Sequence, residues 1–230
     1  TYVQEGRPVW PEYDDNLMSS AEVEYDPSLP IHIGLDFGLT PAAAIGQKLS
    51  NGRWVVLHEI VTEDMGLERF GQQLLGEINA KYPKSHVLVW GDPAGMQRDA
   101  IYEVTAFDYL RTLGLRAQPT ASNNFKVRRE GAAAPMQRLI VGKPGLIIHT
   151  SCKRLRKSLA GGYHFKRVAV GAGHERFKDS PNKNEHSHIG DAFGYLMLGG
   201  GEHKRMTKNH LAASSIIAQT LAKSDFDVFD

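Results

Sequence analysis

A chain of 230 residues, 41% hydrophobic and 23% charged, can build one sizeable core or one domain with extensions, and reads as an ordinary soluble globular protein. It has no apolar run approaching a membrane span and no signal peptide before its first predicted strand, and its single cysteine, Cys152, excludes a disulfide framework or a Cys-rich zinc site and fits a reducing, intracellular setting. The net charge of +1 hides a division: residues 1–30 carry seven acids against one Arg, whereas residues 151–183 carry nine Lys or Arg against Glu175 and Asp179, which points to a polyanionic partner.

Residues 1–30 have little periodicity and contain Pro8, Pro11, Pro27 and Pro30, so they read as an extended arm. The chain starts on Thr1 rather than Met, which suggests a fragment of something longer. Residues 31–37 are predicted as the first strand. Leu39-Thr40-Pro41 turns the chain, Ala42 to Lys48 returns antiparallel, and the Asn51-Gly52 hairpin signal leads into a third strand over 53–61. The period then changes. Leu67, Phe70, Leu74, Leu75 and Ile78 recur at helical spacing, so residues 66–80 are predicted as an amphipathic helix. His86 to Trp90 is continuously apolar, as in a strand buried on both faces. A helix at 97–113, a strand at 115–117, a helix at 124–141, a strand at 145–148 and a short basic helix from Ser151 to Leu159 continue the alternation. Residues 161–183 read as a projecting basic loop or hairpin. The helix from Ser187 to Leu198 is the last firm element, and residues 200–230 are a polar tail with one candidate helix, Leu211 to Leu221. The pattern predicts an α/β sandwich on a mixed sheet, with one core over residues 31–199.

Three carboxylates sit in apolar or Gly-rich surroundings, where an acid is costly without a cation. In the first strand Ile31, Ile33 and Leu35 point one way, and His32, Gly34, Asp36 and Gly38 the other; the glycines are expected to leave Asp36 open to a bulky ligand. Asp92 follows a buried strand at its carboxyl end, where open α/β sheets form ligand crevices, although Gly-Asp-Pro is also turn chemistry. Asp191 shares a helix face with His188 and Tyr195, behind Asn184 or Ser187 as caps, and a salt-bridged structural acid is its plainer reading. Taken together, Asp36, Asp92 and Asp191 suit hard cations such as Mg²⁺ or Mn²⁺, two of which ~3.5–4 Å apart can hydrolyse a phosphodiester. Lys183 and His188 are candidate phosphate contacts or proton relays, and also fit surface charge and a helix start. Glu59 reads as a solvated strand residue and Asp99 as a first-turn helix acid.

The basic set is Lys153, Arg154, Arg156, Lys157, Lys166, Arg167, Arg176 and Lys178, with Tyr163 and Phe165 interleaved. It suits phosphate neutralisation that is independent of sequence and weakens with salt, or else a solvated loop. No P-loop is present, Gly171-Ala172-Gly173 is an isolated Gly cluster, and His186 and His188 lack the partners of a zinc site.

The blocks Ile33-Gly34-Leu35-Asp36-Phe37-Gly38-Leu39-Thr40-Pro41, Gly91-Asp92-Pro93-Ala94 and Asn184-Glu185-His186-Ser187-His188-Ile189-Gly190-Asp191-Ala192 resemble the C-terminal nuclease domain of the large terminase subunit of tailed bacteriophages. The arm around Gly6-Arg7-Pro8-Val9-Trp10-Pro11-Glu12-Tyr13 is similar to the segment leading into that domain, so the likeness covers about residues 5–200. The resemblance implies an RNase H-like fold and an endonuclease cutting concatemeric viral DNA during packaging. It also implies an acidic triad, mapping to Asp36, Asp92 and Asp191, that holds Mg²⁺ or Mn²⁺. Its implied partners are double-stranded DNA, the small terminase subunit and the portal, acting at the procapsid in the host cytoplasm rather than in the virion. The packaging ATPase lies outside this sequence, and the isolated domain is expected to be monomeric.

Other readings remain. The domain can be a DNA- or portal-binding module with little cleavage of its own, or a resolvase- or transposase-like nuclease. The stretch Gly34 to Thr40 also looks like the first phosphate loop of actin-like and sugar-kinase ATPases. Those need a second such loop and a duplicated domain, which the length disfavours.

Overall fold

The computed structural model of the chain describes residues 6–38, 40–97, 104–168 and 176–203. Asp99, the Gly171-Ala172-Gly173 cluster and the helix expected at Leu211 to Leu221 lie outside those residues. In chain order the elements are β1 (Gly6–Pro8), α1 (Asp15–Met18), β2 (Ser19–Ser20), β3 (Ile31–Asp36), β4 (Ala42–Lys48), β5 (Trp54–Val61), α2 (Leu67–Lys81), β6 (Val87–Gly91), α3 (Ala106–Thr112), β7 (Arg116–Pro119) and α4 (Phe125–Gln137). They continue with β8 (Leu139–Ile140), β9 (Lys143–Pro144), β10 (Leu146–His149), α5 (Lys153–Lys157), β11 (His164–Val168), β12 (Arg176–Phe177) and α6 (Ser187–Gly199). The helix expected to run to residue 141 stops at Gln137, two residues past Pro135, and the chain then folds into the β8–β9 hairpin. Proline supplies no amide for the helix ladder, which favours an early end.

Seven strands form one sheet in the order β2-β10-β5-β4-β3-β6-β7. β3, β4 and β5 are the antiparallel meander, and β6, β7, β10 and β2 join in parallel. The mixed sheet predicted from the change of period is therefore present. Alternation along β3 decides what covers each face. Ile31, Ile33 and Leu35 pack with Phe70, Leu74 and Ile78 of α2 and with Phe107 and Leu110 of α3. Ala42 and Ala44 of β4, with Trp54 and Val56 of β5, pack on the other side with Ala132 and Met136 of α4 and with Ile189, Phe193 and Leu196 of α6.

The face of β3 that carries His32, Gly34 and Asp36 lies under α6. A Cβ on Gly34 would run into the carbonyl oxygen of Ala192 and the amide nitrogen of Leu196. The glycine expected to make room for a ligand thus makes room for a helix backbone, and of the two glycines flanking Asp36 it is Gly38 that faces open space.

Residues 6–20, read from sequence as part of an extended arm, are tied into this core. β1 pairs antiparallel with β11, Val9 and Trp10 are buried, and β2 forms the sheet edge beside β10. Trp10 donates its indole N–H to the Arg129 carbonyl at 3.0 Å. At the far end of α6, Glu202 is fully buried. It accepts from Trp54 Nε1, Lys48 Nζ and Arg138 Nη1, each at 2.9 Å.

Gly34→Ala should lower the urea unfolding free energy by about 1–3 kcal/mol, because backbone rather than a flexible side chain blocks the added methyl. For Glu202, burial acts to raise the carboxyl pKa, but the hydrogen bonds from Arg138, Lys48 and Trp54 outweigh it and leave the group below its ordinary value. A depressed carboxyl contributes stability above its unfolded pKa of ~4.3 and loses it as pH falls through the folded value. Stability measured against pH should therefore fall less steeply on the acid side in Glu202→Gln than in the parent; an identical acid limb would refute the assignment.

Candidate active site

Asp36 ends β3 with 8% exposure, and Asp191 lies in the second turn of α6 with 1%. The close approach at Gly34 is what brings them together. His188, one turn before Asp191, places Nδ1 2.9 Å from Asp36 Oδ2. Burial pushes the Asp36 carboxyl above its ordinary value and the charge of Asp191 adds to this, while the His188 hydrogen bond opposes it. The same hydrogen bond raises the His188 imidazole against its own burial. The pair thus holds a proton more tightly than its separate groups would.

Asp191 is surrounded by donors. Arg128 Nη2 donates to Oδ1 at 2.8 Å, the Tyr163 hydroxyl donates to the same oxygen at 3.3 Å, and the Lys183 ammonium contacts Oδ2. Arg128 reaches the site across Gly194, where a Cβ would collide with its Cγ and Cδ. Burial works against the guanidinium charge, but Asp191 and the neighbouring tyrosines hold its pKa above the ordinary value. Its other terminal nitrogen, Nη1, donates to the Tyr195 hydroxyl at 2.7 Å, and the guanidinium carbon lies 4.6 Å from the Tyr195 ring centroid. Burial raises the Tyr195 hydroxyl pKa, and so does its hydrogen bond to Asp92. Asp92 also accepts from Ala94 N at 2.9 Å, capping the short turn Pro93–Met96, so its turn role and its link to the site coexist.

The sequence placed Asp36, Asp92 and Asp191 at one site. In the structure Asp36 and Asp191 interact directly through their charges, and Asp92 joins them through Tyr195 and Arg128. Among the described residues no three His, Cys, Asp or Glu side chains are gathered closely enough to hold a metal ion. The carboxylate oxygens of Asp36 and Asp191 are nonetheless the hard donors that Mg²⁺ and Mn²⁺ prefer, and Arg128 and Lys183 already bring positive charge to Asp191.

The remaining candidates divide. Lys183 and His188 lie in the cluster. Of the α5 residues, Lys153 and Lys157 are exposed, whereas Arg156 is bound to Asp15 through Nε at 2.8 Å and Nη2 at 2.6 Å, and Arg154 lies 3.4 Å from Glu63. Lys166, Arg167, Arg176 and Lys178 are exposed on or just beyond the β11–β12 hairpin. Asn184 shapes the turn before α6, accepting from His186 N at 3.0 Å, and no side chain caps that helix. Glu59 is not a solvated strand residue. Its carboxylate accepts the Arg154 and Leu155 amides at 2.9 and 2.7 Å, closing the start of α5.

Sequence reasoning missed Arg128 altogether. Its signal was available: Phe125, Arg128, Ala132 and Met136 share one helical stripe, and a charge on an apolar stripe needs a buried partner.

The elements described above make up an RNase H-like mixed α/β architecture. The chain shares this fold with large terminase nuclease domains. It matches the large terminase of a thermophilic bacteriophage, solved in complex with ADP, at a TM-score of 0.62 and 16% identity over 86% of this chain and 46% of that one. It matches the P22 large terminase nuclease domain at 0.58 and 11% identity, over 83% of this chain and 91% of that one. The nuclease domain of the bacteriophage SPP1 large terminase, with bound Mn, matches at 0.50 and 15% identity, over 79% of this chain and 95% of that one. The chain thus spans a little under half of the thermophilic phage terminase. No protein-family model and no curated protein sequence matches it.

Arg128→Met should destabilise the fold by about 3–5 kcal/mol, because it leaves a buried carboxylate short of its main counter-charge. The double variant Arg128→Met/Asp191→Asn should recover much of that loss. Denaturant melts of the two decide it; equal losses would mean that Arg128 acts by packing alone.

Proposed function

We propose that the chain is a divalent-metal-dependent endodeoxyribonuclease, the nuclease part of a large terminase, that cuts concatemeric double-stranded viral DNA during genome packaging. The observation that carries this reading is the pair of buried, interacting carboxylates, Asp36 on a strand end and Asp191 on the covering helix, within the fold of large terminase nuclease domains. One such domain has been solved with bound Mn.

In this reading Asp36 and Asp191, with Asp92 as the third acid, hold Mg²⁺ or Mn²⁺. The bound ions supply Lewis-acid stabilisation of phosphodiester oxygens and lower the pKa of the attacking water. The protein's own contributions are positioning and charge. Arg128 and Tyr195 fix Asp191 and Asp92 relative to each other. His188 orients Asp36, and the hydrogen bond between them raises the imidazole pKa, which favours its carrying a proton beside the acids. Lys183, 66% exposed on its side chain, can turn from Asp191 towards a phosphate. DNA is the substrate, held in part by Lys153, Lys157, Lys166, Arg167, Arg176 and Lys178. The small terminase subunit and the portal are the protein partners, and the setting is the procapsid in the host cytoplasm.

A second reading, a DNA- or portal-binding module with little cleavage of its own, is favoured by one observation. Both oxygens of Asp191 are engaged by Arg128, Tyr163 and Lys183.

Plasmid cleavage with Mn²⁺ separates the two. The nuclease reading expects nicking and linearisation that EDTA abolishes. Asp36→Asn, Asp92→Asn and Asp191→Asn should each reduce the rate by more than the roughly 10–100-fold typical of losing an outer-shell partner, with folding retained by circular dichroism. Cleavage by all three variants at the parental rate would refute the acid assignment. Salt-sensitive DNA retention with no cleavage at any metal concentration would favour the binding module.

A further inference from the structure

A groove of about 620 Å³ runs between β1, the first turn of α4 and the β11–β12 hairpin. Phe125, Phe165 and Phe177 line its apolar side. The Arg7 guanidinium is stacked over two of these rings, 4.8 Å from the Phe165 centroid and 5.3 Å from that of Phe177. Lys126 and Lys178 stand exposed on its walls. None of these three cations has a carboxylate partner among the described residues, whereas Arg129, which also lines the groove, is paired with Glu12 at 2.5 Å. Glu130 and Asp179 are the acids on the lining, so the unpaired cations outnumber them.

The groove adjoins the acid cluster. Phe125 packs edge-on against Tyr163 with centroids 6.5 Å apart, and the Tyr163 hydroxyl is the group that reaches Asp191. Lys183 in turn lies 6.0 Å from the Tyr163 ring centroid. Tyr163, itself fully buried, therefore lies between Phe125 on the groove and Asp191 in the acid cluster.

We infer that this groove holds the sugar-phosphate backbone of DNA next to the phosphate placed at Asp36 and Asp191, an inference that rests on the nuclease reading. The chemistry favours backbone over stacked bases. Arg7 covers the Phe165 and Phe177 rings, and Phe125 is packed against Tyr163 and Phe165, so what the groove presents is fixed positive charge over an apolar floor. Contacts of that kind position a strand without reading its sequence. They place Arg7 and Lys126, from segments distant in sequence from the basic hairpin, on the same DNA track as Lys178.

The test is binding of a fluorescent duplex oligonucleotide in EDTA, measured by anisotropy over a range of KCl concentrations. Each phosphate contact contributes about 0.9 to the slope of log K against log salt. Arg7→Gln/Lys126→Gln/Lys178→Gln should reduce the slope by up to about 3 and weaken unrelated sequences equally. Lys126→Gln/Lys178→Gln, which removes side chains with no bonded partner among the described residues, should reduce it by up to about 2 and guards against an effect of misfolding. Arg69→Gln/Lys81→Gln/Lys84→Gln, on and just beyond α2, is the charge-matched control. A slope that moves no more than in this control, or no DNA binding by the parent, overturns the groove. Mn²⁺-dependent cleavage with an unchanged slope would refute the groove and leave the nuclease reading intact. Groove-dependent binding with no cleavage in any metal would do the reverse.

Discussion

A helix lying across a strand ordinarily stands off by the thickness of two side-chain layers. At Gly34 one of those layers is missing, and α6 settles onto the backbone of β3. Everything at the acid site depends on that approach. It turns His188 towards Asp36 and sets Asp191 where its charge is felt by Asp36. It also leaves Asp191 with almost no solvent, so the carboxylate must find its counter-charges within the protein.

Those counter-charges come from elsewhere in the chain. Two unit charges about 4 Å apart interact by about 4 kcal/mol at an effective dielectric near 20, large against the net stability of a domain. A pair of neighbouring carboxylates is tolerable only if cations offset the repulsion. Arg128 does so from α4, buried and hydrogen-bonded in two directions, and Lys183 does so from the solvent side. The asymmetry matters for function. Arg128 is held by packing over Gly194 and by Tyr195, whereas Lys183 meets Asp191 from an exposed position.

α4 joins several parts of the molecule. Arg128 serves the acids, Arg129 binds Glu12 and the Val9 carbonyl, and Phe125 and Lys126 face the groove. The N-terminal segment is held from the other side by β11 and by Trp10. The N-terminal segment is thus bonded to Arg129, the residue next in sequence to the one that pairs with Asp191.

Much of the fold was legible in the residues alone. The meander over 31–61 follows from alternation and from Asn51-Gly52, and the helix at Leu67–Lys81 from its apolar spacing, because these signals are local. Asp36, Asp92 and Asp191 stand out as candidates in the sequence, since each sits conspicuously in an apolar or Gly-rich run. What the sequence could not supply was the content of the space around them. Gly34 reads equally well as room for a ligand or for a helix, and only the packing of α6 chose the helix. Glu59 reads as a solvated strand residue until α5 is placed over it, and the apolar stripe that carries Arg128 calls for a buried partner without saying which until α6 is placed beside it. Local pattern determines which residues form strands and helices and which face is apolar. Which charge meets which carboxylate is decided by contacts between residues 63 apart, as for Arg128 and Asp191, or 152 apart, as for His188 and Asp36, and only the tertiary structure sets those.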